Sequence, residues 1–133
     1  MVFGSALRDD RNRIALAIAS LAPHVQTIIL LNQPPIVPSG INRSAIRNGK
    51  GPPFVEDQAI NRERHEVNKF LKQFTSKQVV VVDISHEFEL PDDEILFSDQ
   101  NGHQYYHDRT HLSGYGAQLV RMKIESSLVQ AKP

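Results

Sequence analysis

The stretch YYHDRTHLS, residues 105–113, places an aspartate and a histidine three positions apart. In a turn that enters a helix, the carboxylate of Asp108 can fold back and accept a hydrogen bond from one ring nitrogen of His111. The other ring nitrogen can then take a proton from a hydroxyl nucleophile, while the carboxylate stabilises the imidazolium that forms. The pair therefore predicts the acid–base half of a serine-type acyl-transfer site. The alternative is that an aspartate in front of a helix is only a cap.

The histidines of the same region suggest a second kind of site. His103, His107 and His111 follow one another at intervals of four. On one helix they would share a face and could bind zinc together with Asp108. Gly102 and the neighbouring tyrosines favour turns or extended chain instead, so the metal site is kept as an alternative to the acid–base pair.

These residues need a scaffold, and hydrophobic periodicity predicts one of alternating helices and strands. Because the order is helix, strand, helix, strand, helix, the pattern indicates an α/β fold with a parallel sheet. Two clear strands are few for such a sheet, so residues 1–133 are expected to be part of a larger doubly wound domain. The first half of the chain is predicted to contain a helix at Leu7–Leu21, a buried strand at Val25–Leu31 and a long loop at Ile36–Phe54. The second half is predicted to contain a helix at Val55–Phe74, a buried strand at Gln78–Ile84, and an irregular stretch at Glu87–His107 with a short strand at Ile95–Phe97. The last predicted element is a helix that is capped by Ser113 and ends near Val129, with an inner face formed by Ala117, Val120, Ile124 and Leu128.

Composition excludes several classes of function. Fifteen basic and fifteen acidic residues give zero formal net charge, so a general nucleic-acid binder with a basic face is not expected. The same balance gives no support for electrostatic docking on an anionic membrane. Without cysteine, the chain cannot form disulfides, thiolate metal sites or a cysteine nucleophile.

The Asp108–Ser113 string, followed by Gly116-Ala117, resembles the last functional block of the SGNH hydrolase/acyltransferase superfamily. More narrowly, it is similar to the SGNH domains attached to bacterial integral-membrane O-acyltransferases. Weaker similarities are the strand that ends in Gln33-Pro34-Pro35 and the strand Val79–Ile84. The resemblance implies a partial three-layer, flavodoxin-like α/β/α sandwich with a short parallel sheet, in which Asp108 and His111 are the catalytic acid and base.

The family's Gly-Asp-Ser nucleophile block and Gly-x-Asn-Asp oxyanion block are absent from this sequence. The resemblance therefore implies that residues 1–133 are the C-terminal part of a single, longer SGNH-type domain, with the nucleophile upstream. Two residues are considered in their place. Val2-Phe3-Gly4-Ser5 is similar to a strand end with a nucleophile turn, which would make Ser5 the nucleophile; the alternative is an unordered or helix-capping N-terminus. Asn32, at the end of a predicted strand, would donate its amide to an oxyanion; the alternative is a hydrogen bond that starts a loop.

The resemblance implies acyl-ester chemistry on hydroxyls of a bacterial cell-surface glycan, with acetyl as the transferred group and no cofactor. It also implies a location at the periplasmic face of the inner membrane, with membrane attachment only through a missing N-terminal region. We expect a glycan or other acyl acceptor as partner, and an unpaired sheet edge makes self-association a further expectation. The alternative function is that of a truncated or inactive domain with only a binding or structural role.

Overall fold

A computed structural model describes the backbone of residues 3–40 and 54–131, and the side chains of residues 10–40 and 54–130. Helices and strands are interspersed along these ranges, and the two parallel strands are joined through a helix, which confirms the predicted α/β class. Short 3₁₀ turns follow the second helix and connect the last strands. The elements are α1 (Phe3–Leu21), β1 (Ile28–Leu31), β2 (Phe54–Val55), α2 (Gln58–Leu71), β3 (Val79–Val82), β4 (Glu94–Ile95) and α3 (Gly114–Ala131).

The strands of the described ranges form two small sheets. β1 and β3 are parallel, with Ile28 opposite Val79. β2 and β4 are antiparallel, with Phe54 opposite Ile95. The crossover between β1 and β3 carries α2, as a parallel connection requires. The arrangement is a partial α/β sandwich with a short parallel sheet, in agreement with the sequence-based prediction.

β1 is shorter and less buried than its composition predicts. The prediction starts the strand at Val25, but the side-chain amide of Gln78 donates hydrogen bonds to the carbonyl oxygens of Ala22 and Val25, at 2.7 and 2.6 Å. The strand therefore begins three residues later. Ile29 and Leu31 are 37% and 41% exposed, so the prediction of a fully buried strand is wrong for the face that carries them.

The prediction of one helix over Val55–Phe74 is wrong at its first end. Val55 belongs to β2, and α2 begins only after Asp57. The Asp57 carboxylate accepts hydrogen bonds from the backbone N–H groups of Ala59 and Ile60, at 2.9 and 3.3 Å, which is the geometry of a helix N-cap. Phe54, the last residue of the predicted loop 36–54, belongs to β2. Residues 41–53 of that loop lie outside the described ranges.

α3 begins as predicted, because the Ser113 hydroxyl accepts a hydrogen bond from the Gly116 N–H at 3.2 Å. The predicted inner face is wrong at Ala117, which is exposed; the neighbouring Gly116 is buried instead. A Cβ on Gly116 would collide with the backbone carbonyl of Tyr105. The glycine therefore lets α3 lie directly against the chain that leads into the Asp108–His111 turn.

An aromatic core lies beside this turn. The rings of Phe97 and Tyr106 stack with centroids 5.9 Å apart, and Phe88 meets Tyr106 edge-on at 5.7 Å. Val37 and Ile95 complete the buried cluster. The region predicted to be irregular, residues 87–107, thus supplies much of the core, and its short strand is Glu94–Ile95 rather than Ile95–Phe97.

No helix in the described part of the chain is both long enough and apolar enough to cross a membrane.

Candidate active site

The residues between Tyr106 and Leu112 form a compact turn in front of α3. Tyr106 and Leu112 pair as an isolated antiparallel bridge. Within it, the N–H of His107 donates to the carbonyl oxygen of His111 at 2.8 Å. This closure brings the chain back on itself over five residues, so side chains three positions apart can meet.

Asp108 and His111 meet inside this turn. The Nδ1 atom of His111 lies 2.8 Å from Oδ2 and 3.0 Å from Oδ1 of Asp108. Because an ionised carboxylate can only accept, Nδ1 carries the proton and donates it. The contact that the Asp-x-x-His spacing predicts is therefore present, while the catalytic role of the two residues stays a prediction.

The backbone holds the Asp108 carboxylate in its charged form. Oδ1 accepts hydrogen bonds from the N–H groups of Thr110 and His111, at 2.9 and 2.8 Å. These two bonds, and then the bond from the His111 ring, hold the pKa of Asp108 well below its ordinary value. The carboxylate is thus available as an anion that orients the ring.

The imidazole of His111 is presented to solvent, with 77% of its side chain exposed against 31% for Asp108. Since Nδ1 is occupied, proton transfer is left to Nε2, to which no described residue makes a hydrogen bond. The hydroxyl of Thr110 lies 3.3 Å from Nδ1, on the side of the carboxylate, and is therefore not placed as a nucleophile. The arrangement is an oriented base with an open nitrogen.

Long-range bonds tie the turn to the segment after β1. The Tyr106 hydroxyl donates to the carbonyl oxygen of Pro35 at 2.9 Å. Arg109 exchanges two bonds with Val37: the Val37 N–H donates to the Arg109 carbonyl at 3.0 Å, and Nε of Arg109 donates to the Val37 carbonyl at 2.9 Å. Sequence reasoning missed these anchors, because contacts between residues about 70 positions apart leave no local pattern.

A buried ion pair fixes the same segment from the other side. Arg64 and Glu56, with 2% and 1% of their side chains exposed, are 2.7 Å apart between Nη2 and Oε2. Glu56 also accepts the N–H of Ile36 at 2.8 Å, and Nη1 of Arg64 donates to Glu89 at 2.7 Å. Sequence reasoning missed this pair as well; the signal was an arginine at helical spacing within the apolar stripe of α2, four residues after Ile60.

Ser5 and Asn32, the other two candidates, are not brought to the pair by any described contact. The strand end and turn predicted around Ser5 are wrong, since α1 already runs from Phe3; the side chain of Ser5 lies outside the described residues. Asn32 is buried, and its Nδ2 donates to Asp83 at 2.7 Å while its Oδ1 accepts the N–H of Ile84 at 2.8 Å. Asn32 thus bonds the ends of the parallel strands to each other, and its oxyanion role stays a prediction.

The metal interpretation of the histidines is wrong for the described residues. α3 begins at Gly114, so His103, His107 and His111 do not share a helical face. His103 instead bonds Asp99 at 2.8 Å through Nδ1. Among the residues that the structure describes, no group of three or more histidine or carboxylate side chains is arranged to hold a metal ion.

A comparison with protein families identifies the domain. The family model described as "SGNH domain (fused to AT3 domains)" matches residues 4–126. The chain belongs to this SGNH family. Membership supports acyl-ester hydrolase or transferase chemistry at a coarse level. No curated protein and no solved structure matches the chain.

Proposed function

We propose that this SGNH domain takes part in the transfer or hydrolysis of acyl esters on cell-surface glycan hydroxyls, and that Asp108 and His111 are its acid–base pair. The observation that carries the proposal is the 2.8 Å contact between Nδ1 of His111 and Asp108, on a ring that is 77% exposed. An imidazole held by a carboxylate at one nitrogen and open at the other is what a serine hydroxyl requires for activation.

Each half-reaction uses the same open nitrogen. Nε2 of His111 takes the proton of the serine hydroxyl as the serine oxygen attacks the acyl carbonyl, and Asp108 stabilises the imidazolium. The imidazolium then returns the proton to the departing alcohol, which leaves the acyl group on the serine. An acceptor hydroxyl, or water, repeats the cycle in reverse. The described side chains bring no serine hydroxyl to Nε2, so the labelling experiment below identifies the serine, and the scheme needs no cofactor.

A polar cleft, whose lining includes no residue of the Asp108–His111 turn, is the place we propose for the glycan that accepts the acyl group. It is open, has a volume of about 470 Å³, and lies at the carboxyl ends of β1 and β3, where ligands of open α/β sheets bind. Its lining mixes carboxylates, amides and cationic side chains, including Asn32, Asp83 and Lys69. Burial opposes the charged form of Asp83, but hydrogen bonds from Asn32 and the His86 N–H outweigh it and lower the pKa of Asp83. Such mixed polar groups suit sugar hydroxyls better than a uniformly charged ligand.

The proposal is tested with the product of the complete reading frame, by hydrolysis of an activated acetyl ester and by labelling with a fluorophosphonate. His111→Ala is expected to abolish both signals. Asp108→Asn is expected to lower kcat by about 10⁴-fold, because the imidazole loses its oriented tautomer. His107→Ala is the matched control, since it removes an exposed imidazole of the same turn and should leave kcat unchanged.

Mass spectrometry of the labelled protein locates the nucleophile. A label on a serine upstream of this chain supports the prediction that residues 1–133 are the C-terminal part of a longer domain. A label on Ser5 would contradict that prediction and give the chain its own nucleophile. Full activity in His111→Ala would contradict the proposed role of the pair.

The second candidate is a domain that binds glycan without turning it over. One observation favours it: no hydroxyl nucleophile of the described residues reaches Nε2 of His111. Glycan binding by calorimetry, together with no ester hydrolysis and no fluorophosphonate label in the complete product, would select this candidate over catalysis.

A further inference from the structure

Arg109 lies between Asp108 and His111 in the turn that joins Tyr106 to Leu112. It forms hydrogen bonds with one buried residue through both its backbone and its side chain. Its carbonyl oxygen accepts the N–H of Val37 at 3.0 Å, and its Nε donates to the Val37 carbonyl at 2.9 Å. Val37 has no exposed surface. The turn is therefore attached to the interior at a point that cannot itself move freely.

The residues around Val37 are fixed independently of the turn. The N–H of Ile36 donates to Glu56 at 2.8 Å, and Glu56 is paired with Arg64 in the interior. The segment after β1 is thus a rigid reference against which the turn can be placed. Tyr106, at the start of the turn, adds a bond from its hydroxyl to the carbonyl of Pro35.

The bonds within the turn fix the pair internally but not its place in the molecule. Asp108 bonds the N–H groups of Thr110 and His111, so the carboxylate and the ring stay together even if the turn swings as a unit. The backbone bond from Val37 to Arg109 and the Tyr106–Pro35 bond attach the turn at two points, at its middle and at its first residue. The guanidinium bond to the Val37 carbonyl is a third attachment, which restricts rotation of the turn about the line through the other two.

We propose that Arg109 is a positioning residue for this pair: its Nε–Val37 contact holds the turn in one orientation, so that Nε2 of His111 keeps a fixed place opposite the nucleophile. The inference rests on the proposed function. Displacement of a reacting group by about 1 Å can cost about 10²-fold in rate. A planar guanidinium donates from Nε in a fixed direction, whereas a lysine ammonium rotates freely and lies at the end of a flexible stem.

The attachment is measured by hydrogen exchange of the Val37 amide in this chain. Arg109→Ala is expected to speed that exchange by about five- to tenfold, the equivalent of about one hydrogen bond. Exchange at the β3 amides should not change, because no hydrogen bond among the described residues joins β3 to the turn. The matched control Arg121→Ala removes the same charge from an exposed pair on α3 and should leave Val37 unaffected.

The catalytic consequence is measured in the product of the complete reading frame. Arg109→Ala is expected to lower kcat for a small ester by about ten- to a hundredfold with little change in KM. Arg109→Lys should behave like the alanine variant. Full activity in the lysine variant, or an equal acceleration of exchange in β3, would overturn the positioning role.

The two proposals fail in different ways. If the unsubstituted product is active but Val37 exchange or kcat is unaltered in Arg109→Ala, the positioning role is overturned and the proposed function stands. If the unsubstituted product has no esterase activity and takes no label, the proposed function is overturned, and with it the catalytic meaning of the Arg109 contact.

Discussion

Replacing Arg64 by methionine would remove one half of a buried ion pair that supports the Asp108–His111 turn. Arg64→Met keeps an unbranched apolar stem but no guanidinium. Glu56 would lose its bonds from Nε, at 3.0 Å, and from Nη2, at 2.7 Å, while only 1% of its side chain is exposed. Its remaining charge would have to stay in the interior or be neutralised.

The burial of this pair predicts that Arg64→Met lowers the free energy of unfolding more than most single substitutions do. Breaking a buried pair from one side costs about 3–5 kcal/mol, because the remaining charge is uncompensated. Small domains have a free energy of unfolding of about 5–15 kcal/mol. At about 3–5 °C per kcal/mol for a chain of this size, the Tm should fall by about 10–25 °C.

Thermal and urea unfolding, followed by circular dichroism, measure this loss. The double variant Glu56→Gln/Arg64→Met should regain a large part of the stability, since the amide oxygen can still accept the Ile36 N–H and the buried charge at position 56 is gone. Glu89 also loses its bond to Arg64, but its side chain is 24% exposed and can be solvated. The control Arg121→Met breaks a pair whose side chains are 69% and 60% exposed and should leave the free energy of unfolding nearly unchanged. A loss below about 1 kcal/mol in Arg64→Met, or a double variant no more stable than the single one, would refute the reasoning.

Three further outcomes are expected. Gly116→Ala should cost about 1–3 kcal/mol in urea unfolding, because its Cβ would collide with the Tyr105 carbonyl. Burial raises the pKa of Tyr106 above the ordinary value of 10.0. The neutral phenol therefore contributes stability that is complete below pH 10.0 and decreases as the pH rises above it. An alkaline absorbance titration, compared with that of Tyr106→Phe, should show one phenol that ionises only on unfolding. Ile29→Lys should reduce concentration-dependent self-association in sedimentation, since it places a charge on the half-exposed face of β1; equal association of the two proteins would contradict that proposal.

Sequence reasoning located the features that depend on neighbours along the chain. The Asp108–His111 contact and the Ser113 cap each arise within four residues, so spacing and residue type were sufficient to predict them. Alternation of apolar segments was likewise sufficient for the α/β class, because helices and strands differ in period. The predicted boundaries were wrong where a residue distant in the sequence makes a contact. One example is the side chain of Gln78, which donates a hydrogen bond to the carbonyl of Val25, so that β1 begins later than predicted.

The anchors of the site could not be predicted in the same way. Val37 and Arg109 are 72 positions apart, and Ile36 and Glu56 are 20 apart across residues 41–53, which the structure does not describe. A buried arginine also runs against the usual exposure of its residue type. Arg64 on the inner face of α2 was therefore assigned no role from the sequence.

These contacts explain how an exposed pair can be held in place beside so small a sheet. Two-stranded sheets are marginal by themselves, and β1 leaves Ile29 and Leu31 half-exposed. The turn instead rests on the aromatic cluster around Tyr106 and on the segment fixed by Glu56 and Arg64. Substitutions on the exposed face of β1 should therefore alter association while leaving the geometry of the turn intact, whereas substitutions in the ion pair should loosen the turn.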